Sequence, residues 1–196
     1  PSLVAALVEH NGRIHKADLL NVIRTLYPFL KAELFLKWKA SEINAQVSEY
    51  IDALAQANLI FVDDEDFIFC PTPNSEDHNQ LAVLAAPVRQ SLERYYMTMA
   101  LISQRGSGNI SIRQVEELSY LVGQRLSVLY EFNSPEFFDK ALFQSFVKVL
   151  TEQGYIKTNE DHAIVYGEQF SNVAQYANLV LDDVTLQMLQ HITSFT

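Results

Sequence analysis

Apolar residues recur at Phe138, Leu142, Phe146, Val147 and Leu150 with the 3.6-residue period of a helix laid against a core. Ahead of that stripe Ser134 offers a side-chain oxygen as N-cap, Pro135 sits where its missing N–H costs nothing, and Glu136 lies at the positive helix end. Gly154 follows Gln153 where a left-handed C-terminal cap belongs. Tyr155-Ile156 and Ala163-Ile164-Val165 flank Asn159-Glu160-Asp161, which predicts two short strands about a polar turn. The same signals occur earlier. Ser41 starts a helix, Ile43, Val47, Tyr50, Ile51 and Leu54 line one face, and Asn58 takes the cap position, asparagine being the other residue that tolerates that backbone region. Leu59-Ile60-Phe61-Val62, the turn Asp63-Asp64-Glu65-Asp66 and Phe67-Ile68-Phe69 then supply strand, turn and strand. The copies match without a gap from the pair Tyr50 and Phe146 onward, an offset of 96 residues, so the chain contains an internal repeat.

Upstream of each copy the pattern is also shared. Leu3 to Glu9 reads as helix, Asn11-Gly12 breaks it, and Arg13-Ile14-His15 is long enough for one extended rung; Gly106-Ser107-Gly108 precedes Asn109-Ile110 in the second copy. A long helical stretch follows, Lys16 to Trp38 in the first copy and Ser111 to Tyr130 in the second, where Ser111 and Gln114 form a capping box. Pro28 is expected to split the former into two helices, because the residue before proline avoids the helical region. The order helix, rung, helix, helix, strand, turn, strand is that of a winged helix, with room needed for an extra helix in each copy. Pro71-Thr72-Pro73-Asn74-Ser75 ends the first unit, a helix from Asp77 is expected to break at Pro87, and Val88, Leu92, Tyr95, Met99 and Ile102 form an apolar face expected to couple the units rigidly. Beyond Gly167, Val173, Ala177, Val180, Val184, Met188 and Ile192 keep helical spacing to the end. The expected fold is mainly α, of α+β class. It comprises a winged-helix-like unit at 1–76, connecting helices at 77–99, a second such unit at 100–167 and a C-terminal helix at 168–196, each unit carrying a β-hairpin.

Charge sharpens this picture. The net charge is -10, and residues 41–66 hold Glu42, Glu49, Asp52, Asp63, Asp64, Glu65 and Asp66 with no Lys or Arg, whereas residues 1–40 carry a net +3. A winged helix that reads nucleic acid needs basic residues on its third helix and wing. The first unit offers carboxylates there, and Lys140, Lys148 and Lys157 of the second are cancelled by Glu136, Asp139, Glu152, Glu160 and Asp161, so no nucleic-acid partner is expected. No apolar run approaches the roughly 20 residues of a membrane span. The lone Cys70 fits a reducing compartment and reads as a small hydrophobe beside a strand. A chain that opens on Pro1 within an apolar pattern is expected to be part of a longer polypeptide.

Candidate chemistry is sparse. His10, His15, His78, His162 and His191 are scattered, with no nucleophile motif, glycine-rich phosphate loop or metal-ligand spacing, so no catalytic residue, cofactor or metal is assigned. The acidic tip Asp63 to Asp66 lacks the spaced ligands and central glycine of a calcium loop and reads as a solvated turn. Lys37-Trp38-Lys39, just after Leu34, Phe35 and Leu36, has the composition of an interfacial anchor, which makes Leu34, Phe35, Lys37, Trp38 and Lys39 the candidate membrane or partner contact. A tryptophan packed on the core with solvated neighbours is the favoured alternative.

The string Leu26-Tyr27-Pro28-Phe29-Leu30-Lys31-Ala32-Glu33-Leu34-Phe35-Leu36-Lys37-Trp38 resembles the C-terminal region of the bacterial membrane-associated glycerol-3-phosphate acyltransferases. So do Gln124-Arg125-Leu126-Ser127-Val128-Leu129-Tyr130, Asn133-Ser134-Pro135-Glu136-Phe137-Phe138-Asp139-Lys140-Ala141 and Gln153-Gly154-Tyr155-Ile156. The resemblance implies the tail of an enzyme that transfers a fatty acyl group from acyl-CoA or acyl carrier protein to glycerol-3-phosphate, giving lysophosphatidate at the cytoplasmic side of the inner membrane. That family's hallmark is a histidine followed after four residues by aspartate. Here the corresponding positions are His15, Leu20, Val83, Gly167 and Thr196, and the Phe-Pro-Glu-Gly block is missing, so no catalytic residue carries over. The expected role is therefore scaffolding or contact with partners: the catalytic domain of the same polypeptide and, weakly, the membrane surface. A free-standing tandem winged-helix interaction module is the competing reading.

Overall fold

In the computed structural model the described residues are 1–34, 38–130, 140–181, 183, 186 and 187, with backbone alone for 32–34 and 125–130. They form helices and two small antiparallel sheets, an α+β arrangement in which helix dominates. The chain divides into two compact units, Pro1–Leu92 and Glu93–Thr196.

In the first unit, α1 (Ser2–Asn11) ends at Gly12, whose φ of 66° only glycine adopts freely, and β1 (Arg13–His15) follows at once. Helix α2 (Lys16–Leu34) leads through a 3-10 turn at Ala40–Glu42 into α3 (Ile43–Gln56), and β2 (Phe61–Val62) and β3 (Phe67–Phe69) form the hairpin. The sheet order is β1-β3-β2, antiparallel throughout, with Ile14 opposite Ile68 and Phe61 opposite Phe69. Ile14 and Ile68 turn inward, 4% and 0% exposed, onto a core that includes Leu7, Leu19, Leu26, Phe29 and Ile51. Arg24 donates from Nε to Asn44 Oδ1 at 2.7 Å, tying α2 to α3, and Arg89 pairs with Glu9 at 2.6 Å. The start of α4 is capped by Ser75, whose Oγ accepts the His78 N–H at 3.1 Å.

Helix α4 (Glu76–Arg105) contributes its C-terminal half to the second unit. There α5 (Ile112–Tyr130), α6 (Lys140–Glu152), β4 (Ile156–Thr158), β5 (Ile164–Tyr166) and α7 (Glu168–Ala174) follow. Tyr95 stacks on Phe146 with ring centroids 4.2 Å apart, and Phe143 and Phe170 are fully buried. Asn109 to Ser111 serves as the rung: the Ile164 N–H donates to the Ile110 carbonyl at 2.7 Å, and Ser111 bridges Ala163.

The repeat holds bond by bond. Asn58 and Gly154 both adopt positive φ, 58° and 77°. Asn58 N–H donates to Ala55 O and Leu59 N–H to Leu54 O; Gly154 N–H donates to Thr151 O and Tyr155 N–H to Leu150 O. These pairs make a Schellman cap in each copy. The turns match too, since Asp63 Oδ1 accepts the Phe67 N–H and Asn159 Oδ1 the Ala163 N–H, each at 2.8 Å. The shared geometry extends upstream of the sequence match: α2 and α5 are offset by the same 96 residues at both ends (Lys16 and Ile112, Leu34 and Tyr130), as are Ile14 and Ile110.

Four expectations are corrected. Pro28 does not divide its helix, nor does Pro87; both lie inside continuous helices. A proline removes one helical hydrogen bond, but Leu26, Tyr27, Phe29 and Leu30 around Pro28, and Ala85 and Val88 around Pro87, are buried, and that burial outweighs the loss. One long helix thus takes the place of the expected pair between rung and third helix. Ser41 does not cap α3: it lies within the 3-10 turn, where the Lys39 N–H donates to the Glu42 carboxylate at 2.8 Å and the Glu42 N–H to the Lys39 carbonyl at 2.9 Å. The helix after Gly167 does not continue unbroken, because it tightens into a 3-10 stretch at Gln175–Leu179, which still buries Ala177. The expected cap at Ser134-Pro135 and positions Val184, Met188 and Ile192 lie outside the described residues.

Candidate functional site

Within the first unit, α1, the C-terminal half of α2, α3 and the Pro87 turn of α4 enclose a cavity of about 340 Å³. Its walls are Leu3, Val4, Ile23, Leu30, Ile43, Val47 and Val88 with the rings of Tyr27, Trp38 and Tyr50; Ser2 and Gln46 are its other polar lining residues. The position of Trp38 is fixed through its backbone. Its carbonyl accepts from the Tyr27 hydroxyl at 2.8 Å and from Lys31 Nζ at 2.9 Å, an ammonium on the last turn of α2 where the helix dipole also favours positive charge. Burial pushes the Tyr27 phenol above its ordinary value, against which the hydrogen bond to Trp38 works. The cavity offers apolar contact with a few hydroxyl and amide groups at its walls, which suits binding; its lining holds no carboxylate, imidazole or thiol that could act as acid, base or nucleophile.

Of the residues singled out in the sequence, Trp38 is half-buried on this cavity, and Lys39 is exposed with its backbone engaged by Glu42. Leu34 ends α2 and its side chain lies outside the described ones, as do Phe35 and Lys37 altogether. Nothing in the sequence pattern singles out Tyr27, Gln46 and Tyr50 as companions of Trp38. Gln46 and Tyr50 fall one helical turn apart on α3, and only packing against α2 shows which face meets Trp38.

Elsewhere the titratable groups are dispersed. His10 closes α1, His15 sits in β1 with its Nδ1 accepting the Ala17 N–H at 3.1 Å, His78 lies in α4, and His162 occupies the second hairpin turn at φ 59°. Cys70 is half-buried beside β3, its N–H donating to the Gly12 carbonyl at 2.7 Å; burial, with a smaller contribution from Glu9, pushes its thiol up. Among the described residues no group of His, Cys, Asp and Glu could hold a metal ion, and no helix is long and apolar enough to cross a membrane.

Comparison with known proteins connects this architecture to a family. The family described as the glycerol-3-phosphate acyltransferase C-terminal region matches residues 1–159. A glycerol-3-phosphate acyltransferase of Pseudomonas paraeruginosa is 36% identical over 177 residues, and proteins of that name from Pseudomonas fluorescens and Ectopseudomonas mendocina are each 33% identical over the same length. Each alignment covers 90% of this chain and 21% of the relative, so the chain spans about a fifth of the length of the curated relatives it matches. No solved structure matches it. With the family match extending from Pro1 to Asn159, through the first copy of the repeat and most of the second, the chain belongs to the glycerol-3-phosphate acyltransferase C-terminal region family.

Proposed function

We propose that this chain is the non-catalytic C-terminal part of a glycerol-3-phosphate acyltransferase, two winged-helix-like units that scaffold the enzyme or hold its partners while acyl transfer takes place in the remainder of a longer polypeptide. One observation carries the reading: relatives named for the activity align over 90% of this chain, yet that alignment is 21% of their length. The absence of a histidine followed after four residues by aspartate anywhere in the sequence agrees with catalysis residing elsewhere. The order helix, rung, helix, helix, hairpin in each copy, and an apolar cavity with no carboxylate, imidazole or thiol in its lining, support a unit built for contact. In the whole protein the acyl donor is expected to be acyl-CoA or acyl carrier protein, at the cytoplasmic face of the inner membrane.

The purified chain is expected to show no turnover of acyl-CoA with glycerol-3-phosphate. The longer polypeptide is expected to be active, and removal of this region is expected to lower its activity or its stability. Turnover by the isolated chain that a point substitution in it abolishes would overturn the reading.

A further inference from the structure

We propose that the outer face of the first unit's sheet is a docking surface for an apolar protein segment flanked by lysine or arginine. Antiparallel register puts Arg13 opposite Phe69, His15 opposite Phe67, and Phe61 opposite Phe69, so these five side chains share one face. Phe61 is 64% exposed on an edge strand, its ring 6.1 Å from that of Phe69. The Arg13 guanidinium lies 3.7 Å over the Phe67 ring and 5.3 Å from that of Phe69, while His15 meets Phe67 edge-on at 5.0 Å. Arginine spread on aromatic rings is a surface rich in the residue types that anchor protein interfaces.

The repeat supplies an internal control. At the same offset the second copy carries Asn109 for Arg13, Ser111 for His15, Lys157 for Phe61, Ala163 for Phe67 and Val165 for Phe69. Its inward residues are unchanged in kind: Ile110, Ile156 and Ile164 stand where Ile14, Ile60 and Ile68 stand, all 4% exposed or less. The same rung, cap and turn therefore form with no aromatic residue at any of the five corresponding positions. The fold does not call for these phenylalanines, and an exposed aromatic edge strand is an aggregation hazard that sheets ordinarily blunt with charge.

Charge selects the occupant. The hairpin tip beside this face is Asp63-Asp64-Glu65-Asp66; Asp63 turns its carboxylate onto the Glu65 and Phe67 N–H groups at 3.0 and 2.8 Å, and the other three carboxylates face solvent. An anionic lipid surface or a nucleic acid is repelled by that tip, whereas a protein segment with apolar anchors and flanking cations meets both the rings and the carboxylates.

The inference deepens the partner-contact part of the function proposed above, and its test does not depend on acyl transfer. The isotope-labelled chain is titrated with an amphipathic leucine–lysine peptide of about three helical turns, with the same peptide carrying glutamate for lysine, and with phosphatidylglycerol vesicles. Amide shifts at Arg13 to His15 and Phe61 to Phe69 are expected with the lysine peptide alone. Giving the first unit residues that its second copy carries, Phe61→Lys with Phe69→Val, is expected to weaken binding at least about tenfold with little change in melting temperature. Asp64→Lys with Glu65→Lys, at exposed positions, is expected to weaken the lysine peptide and admit the glutamate one. Undiminished binding by both variants, shifts confined to other surfaces, equal binding of the two peptides, or vesicle binding in place of peptide binding would each overturn the docking surface. Loss of the acyltransferase reading, by contrast, would come from the turnover assay and leave these shifts unchanged.

Discussion

Asn58 and Gly154 hold the same left-handed position after α3 and α6, and the energetic consequence differs with the side chain. A Cβ added at Gly154 meets nothing within 4 Å, so Gly154→Ala bears only the backbone penalty, about 1 kcal/mol in chemical denaturation. Asn58→Gly is expected to change stability by a few tenths of a kcal/mol. At Tyr96, which is fully buried, the hydroxyl has no partner among the described residues, and burial drives the phenol far above its ordinary value. Removing an unsatisfied polar atom relieves its desolvation cost, so Tyr96→Phe is expected to be neutral or to stabilise by about 1 kcal/mol. Cys70 behaves as an acid whose folded pKa is raised, chiefly by burial. The fold thus favours the protonated thiol, a contribution that is complete below the unfolded pKa and is lost as pH rises through the folded one. Iodoacetamide is expected to alkylate Cys70 more slowly at pH near 8 in buffer than in urea, since the thiolate is the nucleophile; equal rates would show an open, ordinary thiol.

At the scale of elements, the strongest sequence signals were caps and turns, because each is a local bargain between a side chain and its own backbone. The box at Ser111 is one such signal: Ser111 N–H donates to Gln114 Oε1 at 2.9 Å, and Gln114 N–H to Ser111 Oγ at 3.3 Å. Ser111→Ala is expected to lower stability by about 1 kcal/mol, read from the denaturation midpoint at constant slope. Helix interruption is not local in this sense. Pro28 and Pro87 are local breakers, but whether a helix survives one is decided by what its neighbouring turns bury, and Phe29 and Leu30 are each 1% exposed. The 3-10 turn before α3 rests on an equally local bond, the Lys39 N–H to the Glu42 carboxylate three residues on, but Ser41 is the residue type that ordinarily caps a helix and draws the expected start to itself. Asp66 and His162 share positive φ in the two hairpin turns, a match that two dissimilar residues could not announce.

For the molecule as a whole, the charge distribution bears on partners more than on fold. Exposed positions of α3 include Glu49 and Asp52, and the hairpin tip adds three solvent-facing carboxylates, so the surface a winged helix would turn toward DNA is negative. Titration with long duplex DNA at low salt is expected to show no saturable binding; submicromolar affinity with a steep salt slope would require another docking face. The cavity at Trp38 and the aromatic sheet face lie in the same unit, and the second copy's sheet carries Lys157, Ala163 and Val165 in place of the three phenylalanines. Two copies of one fold have thus kept their inward residues and diverged outside, the pattern expected when only one of them carries a contact.

What the sequence determined by itself was everything set within about one helical turn or across one tight turn: the 3.6-residue stripes, the left-handed caps at Asn58 and Gly154, the break at Gly12, the Ser111 box and the repeat that follows from them. The tertiary structure decided what depends on contacts distant in the chain. It kept α2 and α4 continuous across their prolines, set Trp38 against Tyr27 and Tyr50, and brought Arg13 over Phe67 and Phe69 from a strand more than fifty residues earlier. The physical reason is that a cap is satisfied by groups already adjacent, while a face or a cavity exists only after burial has chosen which side of each element meets the core.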